Sequence, residues 1–269
     1  MPTNLITQQR EADFHDRWAS STRIDDVLVR ECFEAPTAME NRFILSRMGS
    51  LQGKKLLDIG AGLGESSVYF ALKGARVTTL DVSPGMVETA LALGRKYGVE
   101  LEGIVAGAEN LRVPAGAYDL IYIANTIHHV QDRPRLFEEM RRALKPGGWF
   151  FSYDPLAYNP VINIYRGMAT EVRTPDESPL TTADLKLARK YFHHVEHREF
   201  WISALLLFGK YYLKDRVQPN EDRYWKKILK EKQEDLWWWK PLRTADTALT
   251  QIPLLRWLAW NIVMWGQRA

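Results

Sequence analysis

Residues 54–153 of this 269-residue chain predict an α/β fold, a doubly wound parallel sheet with helices on both faces. Three observations carry that expectation. Short apolar runs alternate with helical stretches at strand–helix–strand spacing. A glycine run, "DIGAGLG", joins the first apolar run to a helix start. The helices also carry their own boundaries, Ser83-Pro84 before one and Lys145-Pro146-Gly147-Gly148 after another.

In chain order, "KKLLDI" reads as a first strand and "ESSVYFALKG" as a helix closed by Gly74. "RVTTLDV" is a second strand. "SPGMVETALALGRKYG" is a helix capped by Ser83, with Pro84 in its first turn and Gly98 near its end. "LEGIVAG" and "YDLIYIAN" are a third and fourth strand, "RPRLFEEMRRALKPGG" is a helix, and "WFFSYDP" is a fifth strand. Ahead of this core, "EADFHDRWA" and "MENRFILSRMG" read as amphipathic helices. Behind it come two helices around "TPDESP", a strand at "HVEHREFWIS", mostly helix over 203–250, and a last strand at "LAWNIVMW". The expected organisation is a helical lid over 1–53, a cofactor core over 54–155, and acceptor-binding helices, a helical insertion and last strands over 156–269.

Composition sets bounds. Hydrophobic residues make up 46% and charged residues 26%, as in soluble globular proteins, and a net charge of +3 argues against nucleic acid. Cys32 is the single cysteine, which excludes internal disulfides and paired-cysteine zinc sites and fits a cytoplasmic setting. No apolar stretch reaches the roughly 18 residues of a membrane span, and the N-terminal residues lack the apolar core of a signal peptide. Eight of the ten tryptophans follow residue 150. Interleaved with Lys226, Lys227, Lys230, Lys232 and Lys240, they read first as core, and otherwise as a greasy acceptor channel or a peripheral membrane surface. Oligomeric state stays open.

Ligands of such sheets lie beyond the carboxyl ends of the strands, where the glycine turn sits. A dinucleotide fingerprint needs a third glycine at the position held by Glu65, and that carboxylate opposes a pyrophosphate at the helix N-terminus. S-adenosylmethionine (SAM) has no phosphate and a cationic reactive end. Asp58 suits that end, Gly60, Ala61, Gly62 and Gly64 allow close backbone approach, and Asp81 at the end of strand two can take both ribose hydroxyls.

The segments "LLDIGAGLGESS", "VTTLDVSPGMVETA", "VAGAENLRVPAGAYDLIYIANTIHHV" and "EEMRRALKPGGWFFSYDP" together resemble the class I SAM-dependent methyltransferases of the small-molecule group that includes ubiquinone/menaquinone and sterol-type enzymes. The resemblance covers roughly 54–155. It implies a seven-stranded, mostly parallel sheet whose last strand is antiparallel. It also implies Val82 and Met86 near the adenosine, Ala108 and Glu109 near the adenine edge, and Ala124 beside the methionine end. Gly107 stands where the family often has aspartate, so Glu109 or backbone groups are expected to replace that contact.

SAM supplies the reactive methyl, leaving the protein to align an acceptor and remove its proton. In related carbon-methylating domains an asparagine followed three residues later by histidine carries the base, and Asn125 and His128 match. An ordinary imidazole pKa near 6.5 suits the task, with His129 the second candidate. Phe14, His15 and Trp18 share a helical face and are expected over the site. Tyr158, Asn159, Tyr165 and Arg166 leave strand five at the cofactor end and are acceptor-pocket candidates. "HHVEH" at 193–197 matches a zinc-protease pattern, but in a strand-like run with no third ligand, and no metal is expected. "YNP" at 158–160 follows strand five rather than strand four, against a nucleic-acid methylase. The expected activity is O- or C-methylation of a small or amphiphilic, largely apolar acceptor. The alternatives are a SAM-binding protein without catalysis and, weakened by Glu65, a nicotinamide oxidoreductase.

Overall fold

The computed structural model describes residues 3–171, 173–174, 176–220, 223–230 and 239–269. Helix α1 (Thr3–Ser21) leads into α2 (Glu31–Glu34) and α3 (Met39–Met48). Then β1 (Lys55–Ile59), α4 (Glu65–Leu72), β2 (Arg76–Asp81), α5 (Pro84–Lys96), β3 (Leu101–Val105), β4 (Tyr118–Ala124), α6 (Arg133–Ala143) and β5 (Leu144–Pro155) alternate as expected. Helices α7 (Pro160–Met168) and α8 (Thr182–Tyr191) precede β6 (His193–Phe200). Short helices α9 (Leu206–Gly209) and α10 (Tyr224–Lys227), then α11 (Trp239–Leu249), lead to β7 (Asn261–Gln267).

The seven strands form one sheet in the order β3-β2-β1-β4-β5-β7-β6. Strands β1 to β5 pair in parallel, and β7 runs antiparallel to both β5 and β6. Adjacent residues of the central strands point to opposite faces. Leu56, Leu120 and Phe151 join one apolar core, whereas Leu57, Ile121 and Phe150 join the other. Helices cover both faces because the central strands are largely apolar on both. The strand order reverses between β1 and β4, and the crevice of the fold opens there, beyond their carboxyl ends.

Local signals hold where they were strong. Ser83 accepts from Met86 N (3.0 Å) and caps α5, with Pro84 in its first turn. The expected helix through Lys145–Gly148 differs: α6 ends at Ala143 and β5 already includes these residues. A side chain at Gly148 would lie 3.0 Å from Asp119 O, so the strand packs too closely for one. The "YNP" run is a helix start, with Asn159 accepting from Ile162 N (3.0 Å) and Pro160 in the first turn of α7. "HHVEH" lies in edge strand β6, where His197 stacks on Trp257 and pairs with Glu199.

Among the described residues Trp201, Trp239, Trp260 and Trp265 are buried, Trp201 and Trp260 of these also lining a cavity, while Trp237, Trp238 and Lys232 lie outside the described residues. No helix among those described is long and apolar enough to cross a membrane.

Candidate active site

The loops beyond β1, β2 and β4 line a cavity of about 350 Å³, which α1 and the segments after β5 and β6 close from outside. Gly60 and Gly62 turn the chain sharply, at φ +67° and +55°. The backbone N–H of Gly60 is taken by Leu80 O (2.8 Å), which ties the turn to β2. Asp81 fixes the rest: Oδ2 accepts from Gly62 N (3.0 Å) and Oδ1 from Ser83 N (3.0 Å). A side chain at Gly62 would meet nothing within 4 Å, so the turn presents bare backbone to open cavity. That cradle, with the carboxylate of Asp81 beside it and no cationic side chain on the turn, fits the uncharged ribose and the methionyl part of SAM.

Gly64 and Asp58 belong to the scaffold behind this wall, which corrects the expectation for both. Gly64 is in a left-handed conformation (φ +91°) ahead of α4, and a side chain there would fall 2.7 Å from the backbone of Ala90. Asp58 is buried and accepts from the hydroxyls of Ser66 (2.6 Å) and Ser67 (2.7 Å). Burial pushes its carboxyl up to about 6 although both hydroxyls favour the charged form. It locks the first turn of α4 to β1 and does not line the cavity. Met86 likewise packs wholly in the core.

Ala61, Val82, Ala108, Glu109 and Ala124 do line the cavity. Gln8 of α1 donates to Glu109 Oε2 (2.7 Å) and also fills the space above Gly107, where a side chain would lie 3.1 Å from its amide. A polar group from the opposite wall thus stands at the position where the family often carries aspartate.

Beyond β4, Asn125 takes a left-handed conformation (φ +50°), which bends the chain so that His128 and His129 both reach the cavity. His128 is buried, with Nδ1 2.7 Å from Asp154 Oδ1 at the end of β5, and its backbone N–H donates to the same oxygen (3.2 Å). Burial, then the neighbouring His129 and Arg166, hold the ring well below its ordinary pKa, so the expectation of a value near 6.5 is corrected. Burial also pushes Asp154 up to about 8.

His129 Nδ1 lies 3.1 Å from Glu11 Oε2, and His15 Nε2 lies 3.5 Å from it. Burial pushes the Glu11 carboxyl up, but the two imidazoles beside it outweigh burial and hold the group well below the usual carboxylate range. Glu11, His15 and His129, and separately His128, His129 and Glu177, bring ligating atoms within 4.8 Å of one another, so His129 is shared between the two groups that could hold a metal.

Phe14, His15 and Trp18 of α1 line the cavity together, as do Tyr165 and Arg166 of α7. Asp16 anchors α1 by accepting from Gly85 N (2.9 Å) and the Ser83 hydroxyl. Tyr158 and Asn159 are not in the cavity, which corrects their expectation. Tyr158 is exposed and bonds Thr182, and Asn159 caps α7. Reasoning from sequence missed Gln8, Asp154, Arg173, Glu177 and Arg223, which come from four separate segments and carry no shared motif. Only Asp154, in the quoted "SYDP" at the end of a strand, gave a signal that could have found it.

Residues 57–152 match the methyltransferase domain family. The phosphoethanolamine N-methyltransferase of Triticum aestivum is 42% identical over 99 residues, 36% of this chain and 19% of that protein. The ubiquinone biosynthesis O-methyltransferase of Bordetella avium is 35% identical over 113 residues, 42% of this chain and 46% of that one. The chain thus spans about a fifth of the first relative's length and less than half of the second's. The solved structure of Haemonchus contortus phosphoethanolamine N-methyltransferase 2 with S-adenosyl-L-methionine shares the fold, with a TM-score of 0.58 at 20% identity, over 96% of this chain and 59% of that one. The cofactor that goes with this domain is S-adenosyl-L-methionine. The matched domain, the order and direction of the seven strands and the bare glycine cradle beside Asp81 agree, and residues 57–152 of this chain are a methyltransferase domain with the class I SAM-dependent fold.

Proposed function

We propose that this chain transfers a methyl group from SAM to a small or amphiphilic, largely apolar acceptor. The carrying observation is one continuous cavity that runs from the glycine turn and Asp81 to the histidines, Trp18, Tyr165, Trp201 and Trp260. In this reading Gly60, Ala61, Gly62, Asp81, Val82, Ala108, Glu109 and Ala124 hold the cofactor. Phe14, His15, Trp18, Tyr165 and Arg166 enclose the acceptor and exclude water. When bound, the cofactor supplies an electrophilic methyl group on a sulfonium.

His128 serves as base for a hydroxyl or activated carbon acceptor. With Nδ1–H donated to an ionised Asp154, its Nε2 keeps a free lone pair toward the cavity. The pair loses its last shared proton near the pH at which Asp154 titrates, about 8, so O- or C-transfer rises with pH through that value. His129, tied to Glu11, orients rather than accepts.

The test is thermal unfolding with SAM, S-adenosylhomocysteine (SAH) and NAD, followed by labelled SAM with a metabolite extract. Stabilisation by SAM and SAH with label appearing in a small molecule is expected. Stabilisation by NAD alone overturns the reading, and cofactor binding without transfer leaves a binder.

Peripheral membrane contact belongs to the same proposal. Val161 and Ile164 of α7 and Leu206 and Leu213 beyond β6 are exposed apolar side chains, and Tyr165 packs on Phe208 between these segments. Co-sedimentation with anionic vesicles that salt reverses is expected, and none at low salt overturns it.

A further inference from the structure

The acceptor end of the cavity carries a group of arginines. Arg166 of α7, Arg173 in the connection to α8, and Arg223 just before α10 all face it. Burial pushes each guanidinium down to about 10, so all three stay charged at neutral pH. Glu177 pairs with two of them, Arg166 (3.3 Å) and Arg173. Arg223 lies over the Trp18 ring, with Cζ 3.6 Å from its centroid, a contact that orients the guanidinium without neutralising it. Tyr165, next to Arg166, stacks on Tyr224, next to Arg223, with ring centroids 5.1 Å apart, which brings these two segments to one stretch of wall.

Nearby charges do not compensate. Lys226 is matched by Glu65 (2.9 Å), and Glu11 is engaged by two imidazoles. Glu40 is pushed up by burial toward its neutral form. Asp81 and Glu109 stand at the cofactor end. Among the described residues of this patch, three arginines therefore share one carboxylate. Partly buried cations without partners are costly, and guanidinium forks match planar or tetrahedral oxyanions.

We infer that this patch binds the anionic group, a carboxylate or phosphate, of an amphiphilic acceptor whose apolar part lies against Trp201, Trp225 and Trp260. The inference rests on the reading of the cavity as the acceptor site. Glu177 Oε2 is also 3.9 Å from His128 Nε2, so an anion anchored here holds the rest of the acceptor beside the histidine.

The experiment is calorimetry on the full chain with octanoate, octyl phosphate and octanamide, each with and without SAH. At least one anion is expected to bind about tenfold or more tightly than octanamide, with the advantage shrinking in high salt. The stronger of the two anions names the headgroup. Arg173→Gln combined with Arg223→Gln is expected to bring the anions to within about twofold of the amide while SAH affinity holds. Equal binding of anions and amide by the unaltered chain overturns the inference, whatever the variant's folding. Loss of SAH affinity with anion preference intact also overturns it, because the arginines then serve the cofactor's carboxylate. Failure of SAH to bind counts against methyl transfer, whereas the anion-to-amide ratio, measurable without SAH, decides this inference.

Discussion

Asp81→Asn tests the cofactor assignment with two separable readouts. The carboxylate holds two backbone donors, Gly62 N and Ser83 N, each at 3.0 Å. Asparagine retains one acceptor oxygen and places an NH2 where the second stood, so one buried N–H loses its partner. That costs about 1–3 kcal/mol, and in a chain of this size each kcal/mol lowers Tm by roughly 2–4 °C. The ribose hydroxyls lose a charged acceptor as well. Charge-assisted bonds contribute about 1.5–3 kcal/mol, so SAH affinity should fall about ten- to hundredfold. Calorimetry with SAH gives the second number and thermal unfolding the first. Asp119→Asn is the control. Asp119 also accepts a backbone bond, from Lys55 N (2.9 Å), and pairs with Lys145, but at the opposite end of the sheet. It should lose stability and keep SAH. Unchanged SAH affinity in Asp81→Asn would remove this residue from the site, and an equal loss in both variants would reduce the effect to general destabilisation.

The two glycines of the turn should part company. Gly64→Ala combines a left-handed φ with a clash against Ala90 backbone and is expected to cost about 2–5 kcal/mol of stability, whereas Gly62→Ala should cost about 1–2 kcal/mol and chiefly weaken SAH, as denaturant melts and calorimetry will report. His128→Gln is expected to bind SAH normally and transfer about 10²–10⁴-fold more slowly, and the rise of rate through about pH 8 in the unaltered chain should vanish; a variant at full speed refutes the base assignment. Asp16→Ala releases α1 from Ser83 and Gly85, so hydrogen exchange over residues 3–21 should quicken and SAH should dissociate faster with little change in Tm.

The sequence by itself determined the parallel sheet, its strand-to-helix alternation and the end at which the crevice opens. Those features follow from local chemistry: continuous apolar runs such as "KLLDI", the cap at Ser83 with Pro84, and glycines at the left-handed positions 60 and 62. Asp81 was legible for the same reason, since its distance from the turn fixes its place at the end of β2. Only the tertiary structure decided the direction in which each polar side chain points. Asp58 stands at the mouth of the same crevice by sequence, yet it turns back to Ser66 and Ser67, because a hydroxyl-rich helix start lies closer than the cavity. Asn159 and Tyr158 follow β5 as expected of pocket residues, but helix capping claims one and Thr182 the other. The pairing of His128 with Asp154, and of Glu11 with His15 and His129, joins segments up to 118 positions apart. The arginine patch draws on α7 and two connections that share no spacing rule. Local periodicity fixes which residues are buried, but the partner a buried charge finds is set by how distant segments pack, and that information resides in the assembled fold.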